Sequence, residues 1–352
     1  MTKIFDGHND VLLRLFMRGG ADAVQSFLTG EIINGKPAGQ LDFPRAKAAE
    51  FAGGFFAIYV PSNEHGNFDA LMQAAKYDVP LPPQSKLSYA QEVTFAQASL
   101  LIKIEASGLL KMCRNMDDLK HCMATDTIAA IMHVEGAEAI DRNLDILYVL
   151  HQAGLRSLGP VWSRPNVFGH GVPFRFPGSP DIGDGLTDAG FDLVRTCNKL
   201  KIMIDLSHLN EKGFWDVAKT SDAPLVATHS NAHALCTHSR NLTDKQLAAI
   251  RETGGMVGLN FAVAFLREDG RKDVNTPIET MLRHLNYLLE HLGEDHVGLG
   301  SDFDGATIPA DLGTVSGLPK LVEAMRQHGY NAGLINKICC ENWINLLERT
   351  WI

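Results

Sequence analysis

Eight short apolar runs punctuate this chain, and stretches of helical periodicity separate most of them. The runs lie at 3–10, 53–60, 127–136, 155–162, 201–208, 224–230, 255–261 and 296–303. Several are apolar almost throughout, as in GGFFAIYV at 53–60, which is the pattern of strands buried on both faces. Between the last two runs, Ile278, Met281, Leu282, Leu285 and Leu289 fall at helical spacing. A Thr276-Pro277-Ile278-Glu279 capping box precedes them, with proline at the first helical position. Thr243 and Gln246 repeat the box ahead of Leu247 and Ile250. Residues 187–200, 318–327 and 331–347 read as further helices, the last of them closing the chain. Strand alternating with helix implies parallel pairing with right-handed crossovers. Eight such units predict a (β/α)8 TIM barrel, with a doubly wound open sheet as the alternative.

A length of 352 residues suits one decorated barrel domain spanning 1–352. Hydrophobic residues make up 45% of the chain and charged residues 21%, enough apolar mass for a large core. The net charge of -9 argues against a nucleic-acid partner. The start is strand-like from Ile4, with no basic segment leading into an apolar one, so no secretory signal is expected. No run approaches the roughly 20 apolar residues of a membrane span, so no membrane partner is expected either. The six cysteines are scattered without Cys-x-x-Cys spacing, which reads as reduced core cysteines in a cytoplasmic protein. Two segments break the rhythm, 61–86 and 164–185, both rich in Gly, Pro or Asn. Each follows a strand, so in a barrel each belongs to the C-terminal mouth, where active sites form.

Polar residues gather at the C-terminal ends of the runs. His8 and Asp10 end the first, Glu135 the third, His208 the fifth, His229 the sixth and Asp302 the eighth. Residues two apart on a strand share a face, so His8 and Asp10 leave the strand together. Imidazole and carboxylate are metal ligands, and charged groups collected in an apolar mouth need a partner or a metal. The set suits a two-metal hydrolase, in which paired ions clamp a hydroxide and polarise a carbonyl or phosphoryl oxygen. Glu135, alone on its strand, is the candidate bridge between the ions. Each residue also has a local reading: a turn for His8, Asp10 and Asp302, a helix cap for His208 and His229. The position they share at the strand ends favours the metal. His133 shares the face of Glu135 and reads as core or as support for the ligands. His65, His121, His151, His233, His238, His284, His291, His296 and His328 read as surface or helix positions.

Nearly the whole chain resembles the membrane (renal) dipeptidase family of zinc peptidases, in the amidohydrolase superfamily. The motifs are Asp6-Gly-His-Asn-Asp10, His133-Val-Glu-Gly136, Ile204-Asp-Leu-Ser-His208, Thr228-His-Ser230, Ser239-Arg-Asn241 and Gly300-Ser-Asp-Phe-Asp-Gly305. The resemblance implies two Zn2+ per chain, one held by His8 and Asp10, the other by His208 and His229, with Glu135 bridging. It makes Asp302 the acid/base that relays the proton from a bridging hydroxide to the leaving amine, and a substrate contact. It implies that Arg240 holds the terminal carboxylate of a dipeptide, L-Xaa-D-Xaa forms included, where position alone allows a surface salt bridge. Family members are often homodimers.

One position departs. The family's mammalian members carry a histidine at the end of the fourth strand, where this chain has Trp162, leaving the contact to the substrate carbonyl open. His170 is the nearest alternative, and a plain residue of a glycine-rich lid is its other reading. The exchange keeps a second hydrolase reading in view, a lactonase or an amidase for N-acyl amino acids. A phosphoesterase and a metal-binding barrel without catalysis are further alternatives; the last is expected to lack Asp302, which this chain retains.

Overall fold

The computed structural model describes residues 2–62, 68–125 and 127–351; the expectation for His65 falls outside them. Eight strands form the barrel: β1 (Ile4–Asn9), β2 (Phe51–Tyr59), β3 (Ile128–Glu135), β4 (Leu155–Gly159), β5 (Met203–Ile204), β6 (Val226–Ala227), β7 (Met256–Asn260) and β8 (Val297–Gly300). They pair in the order β5-β4-β3-β2-β1-β8-β7-β6, every pair parallel. A lone parallel bridge between Asp205 and Val226 links the two end strands, so the barrel is nearly closed. A helix follows each strand, from Val11–Arg18 after β1 to Leu318–Gln327 after β8. The TIM barrel is therefore the architecture, and the open sheet is not. Among the described residues no helix is long and apolar enough to cross a membrane.

Two apolar layers hold the strands. The larger lies between barrel and helices. The smaller fills the lower barrel with Phe5, Phe55, Ile131, Met203 and Met256, and Trp343 of the closing helix plugs it from below. Trp343 donates its indole N–H to the Leu299 carbonyl at 3.0 Å. Its ring passes so close to β1 that a Cβ at Gly7 would lie 2.5 Å from it, which is why that inward position has no side chain. The closing helix runs as Ala332–Asn336, a π turn at Lys337–Glu341, and Asn342–Thr350.

Strands β5 and β6 are shorter than their apolar runs. Beyond them the backbone N–H groups of Ser207 and Thr228 turn to the Asp205 carboxylate, at 3.0 and 2.9 Å, and leave the ladder. Gln246 Oε1 takes the N–H of Thr243, as the second capping box requires. The first box does not form. Pro277 occupies the cap position before Ile278–Leu292, and the Thr276 hydroxyl donates instead to the Asp273 carbonyl at 2.6 Å.

The two long segments after β2 and β4 meet over the mouth. Tyr77–Asp78 pairs antiparallel with Arg175–Phe176. Met72, Tyr77, Val79 and Phe176 pack there against Ala262 and Phe265, which follow β7.

Candidate metal centre

Each side chain that ends a strand reaches the same point above the apolar barrel floor. Glu135 Oε1 lies 3.6 Å from His8 Nε2, 3.0 Å from His208 Nε2 and 3.4 Å from His229 Nε2. Asp10 Oδ2 is 3.3 Å from His8 Nε2. β1 stops at Asn9, and Asp10 stands at the N-cap position of the helix Val11–Arg18 without a side-chain capping bond. The two side chains still converge, as the alternation of a strand predicts. His8, Asp10 and Asp302 bring ligand atoms within 4.8 Å of one another, as do His8, Glu135 and His229. All these residues are buried except Asp302, which is partly accessible.

The electrostatics of the cluster favour a cation. Burial opposes a proton on His8, yet the Glu135 and Asp10 carboxylates outweigh it and lift His8 to about 10. A field that holds a proton there also favours a metal ion. Burial, with Arg240 and His8 nearby, pushes His208 and His229 well below the usual range, so both keep a neutral imidazole with a lone pair to give. Burial raises Glu135 well above its usual value and raises Asp302, in each case against the pull of His8. Both ring nitrogens of His8 are buried without a hydrogen-bond partner, a costly state for a polar group unless it ligates. Three imidazoles with carboxylates form a donor set of the kind that a divalent metal such as zinc takes.

A ring of polar groups orients the cluster. Ser163 Oγ lies 2.8 Å from His208 Nδ1 and Thr228 Oγ1 2.8 Å from His229 Nδ1. Asn260 donates to Asp302 Oδ2 at 3.0 Å. Asp6 accepts the N–H and hydroxyl of Ser301, each at 2.7 Å, locking β1 to the end of β8; burial, opposed by these bonds, lifts its carboxyl to about 7. His133 lies wholly in the core with Nδ1 2.9 Å from Ser157 Oγ, in line with the core reading. Asn260 ends β7, so the rule that singled out the other strand ends points to it as well. Asp6, Asp205 and Thr228 lie within the motifs but carry no signal that separates them from turn residues.

Arg240 is 3% exposed, which removes the surface salt-bridge reading. It donates to Ser230 Oγ at 3.2 Å and to the His229 carbonyl at 3.1 Å, and lies over the Phe265 ring. Burial, opposed by Asp302 and Glu135, lowers it to about 10. His238 is buried outside any helix, contrary to the surface-or-helix reading, whereas His284 lies in the helix Ile278–Leu292, on its buried face. His238 accepts the Arg240 N–H at 3.0 Å, and His284 bridges to the Leu266 carbonyl at 2.9 Å.

Trp162 stands at the mouth, tilted along His208 with centroids 5.7 Å apart and edge-on to Tyr59 at 5.0 Å. His170 contacts the Gly185 carbonyl within its own segment at 3.4 Å and is not among the residues lining the cavity. Behind Trp162, the buried Arg164 guanidinium pairs with Glu138 at 3.1 Å and donates to the Val60 carbonyl and Ser62, tying together the chain ends after β2, β3 and β4. The cavity above the cluster measures about 230 Å³ and is lined by Asp10, Glu135, Asp302, Tyr59, Trp162 and Phe174 among others. That is below the roughly 300–1,000 Å³ of drug-sized sites, so its occupant is small.

The sequence pattern of the membrane dipeptidase family (peptidase family M19) matches residues 1–350. A metallopeptidase from Rhodobacter sphaeroides, solved with a phosphinate mimic of the dipeptide L-Ala-D-Ala, superposes with a TM-score of 0.96 at 58% identity, over 99% of each chain. An uncharacterized protein of the pqqA 5' region of Klebsiella pneumoniae is 49% identical over 262 residues, 74% of this chain and 97% of that one. The dipeptidase tcpJ of Claviceps purpurea is 28% identical over 353 residues, 99% of this chain and 77% of that one.

Proposed function

The chain belongs to the membrane dipeptidase family and is a metallo-dipeptidase, and from that premise we propose that it splits free dipeptides, L-Xaa-D-Xaa forms among them, at a centre of two zinc ions. The observation that carries this reading is the meeting of three histidine Nε2 atoms at one Glu135 oxygen, with Asp10 and Asp302 beside them. His8 and Asp10 would hold one ion and His208 and His229 the other, with Glu135 shared between them. Bound there, the ions supply Lewis acidity, which acidifies water and polarises the scissile carbonyl.

The remaining work falls to side chains. Asp302, raised by burial and aimed by the Asn260 amide, takes the proton from the attacking water and returns it to the departing amine. Arg240 spends two donors on Ser230 and the His229 carbonyl and keeps others for the terminal carboxylate of the substrate. Trp162, with Tyr59 and Phe174, walls the side-chain space and keeps it dry. The segments 61–86 and 164–185 close the mouth of a single domain and set side-chain preference. The R. sphaeroides enzyme was captured with a mimic of L-Ala-D-Ala, which supports the D-residue at the second position. The six unbridged cysteines agree with a reducing, cytoplasmic setting.

The test is amino-acid release from a panel of L-Xaa-L-Xaa, L-Xaa-D-Xaa and N-acetylated dipeptides, by zinc-loaded and by chelator-stripped protein. Zinc-dependent cleavage of the free dipeptides, lost on acetylation, is the expected result. Silence on all dipeptides with metal still bound would overturn it. Trp162 at the place of the family histidine favours one second reading, a hydrolase of N-acyl amino acids or lactones, and cleavage of the acetylated members alone would select it.

A further inference from the structure

Asp205 has no part in the mechanism above, yet its carboxylate sits between β5 and β6, 1% exposed, with every bond directed. Oδ1 accepts the N–H groups of Ser207 and Thr228 at 3.0 and 2.9 Å. Oδ2 accepts the hydroxyl of Thr228 at 2.6 Å. The same Thr228 oxygen lies 2.8 Å from His229 Nδ1. Burial opposes charge on Asp205, but the facing His133 and the bonds from Thr228 and Ser207 outweigh it and keep the carboxylate ionised.

A threonine hydroxyl has one proton, and an ionised carboxylate can only accept. With that proton given to Asp205, the Thr228 oxygen must accept from His229, so Nδ1 carries the ring hydrogen. The lone pair is then on Nε2, the atom that faces Glu135 Oε1 at 3.4 Å. The geometry points to Asp205 as a positioning residue that, through Thr228, sets the His229 tautomer able to bind a metal ion. The inference rests on the reading of His229 as a ligand. It adds a buried carboxylate, one side chain removed, that decides whether the ligand atom is available.

The charge of Asp205, rather than its shape, is what the inference requires, so Asp205→Asn is the informative variant. Its Oδ1 keeps both backbone N–H groups, while an amide NH2 replaces Oδ2 and donates to Thr228. The threonine proton then turns toward His229 Nδ1, and the ring hydrogen moves to Nε2. Zinc affinity, measured by competition with a chelator, should fall about 10- to 100-fold at one of the two positions and hold at the other. The absorption of the cobalt-substituted protein should change with it. Thr228→Val should weaken zinc as Asp205→Asn does, and Thr228→Ser, which keeps the hydroxyl, should restore it. Native zinc affinity in Asp205→Asn and in Thr228→Val overturns the relay. If Asp205→Asn does not fold, the Thr228→Val and Thr228→Ser pair decides alone, since a purely structural role predicts equal zinc affinity for both. A wild-type chain that binds no zinc refutes the metal centre itself, a separate outcome.

Discussion

His208 Nε2 and His229 Nε2 lie 3.2 Å apart, and both face the same Glu135 oxygen, at 3.0 and 3.4 Å. Two imidazole lone pairs and a carboxylate repel one another at that spacing unless a proton or a cation lies among them. Glu135 lies in register with Tyr59 of β2 and Gly159 of β4, in a paired stretch of strand that fixes where its backbone stands.

Glu135→Gln keeps the shape and removes the charge that, in the proposed two-zinc centre, joins the two ion positions. Zinc content after dialysis should fall below two per chain, and turnover by on the order of 100-fold or more. Elemental analysis beside a dipeptidase assay tests this, and two zincs retained would remove Glu135 as the bridge.

Asp302→Asn should behave in the opposite way. The amide still accepts from Asn260 and leaves the zinc count at two, but it cannot carry a proton, so kcat should drop about 10²- to 10⁴-fold. Full turnover in a zinc-replete variant would take Asp302 out of the proton path.

Arg240→Lys keeps a positive charge and loses the planar fork. KM for dipeptides should rise about tenfold or more, the worth of one or two charged hydrogen bonds, with a smaller change in kcat. Dipeptide amides, which lack the terminal carboxylate, should show little difference between the two enzymes; an equal loss on amides would refute the carboxylate contact.

His284 supplies a pH dependence remote from the metal. Burial holds its imidazole down to about 4, against 6.5 for a free side chain. Between those values the unfolded chain binds a proton that the folded chain refuses, so stability is complete above pH 6.5 and is lost as pH falls toward 4. The full loss is about 3 kcal/mol at 1.36 kcal/mol per pKa unit. Denaturant unfolding of wild type and His284→Gln between pH 7 and 4 should show the stability difference shrinking as pH falls. A constant difference would mean that His284 titrates normally.

The barrel and its cluster were legible because both are written locally. Near-continuous apolar runs declare doubly buried strands, and the ends of those runs are where polar residues can escape the core. That logic reached His8, Asp10, Glu135, His208, His229 and Asp302 without knowledge of any contact, and applied once more it reaches Asn260. It could not see that Thr276 would forfeit its capping role to Pro277, because that depends on how the strap after β7 lies across the helix entry.

The sequence by itself determined the alternation of strand and helix, and the end of the barrel at which its histidines and carboxylates gather. Only the tertiary structure decided that Arg240, His238 and His284 are buried, that His170 does not line the cavity, and that Asp205 reaches Thr228. The reason is physical. Apolar periodicity acts between neighbours in the chain, whereas burial and hydrogen-bond direction are set by groups far apart along it, as Asp6 and Ser301 are, 295 residues from each other and 2.7 Å apart.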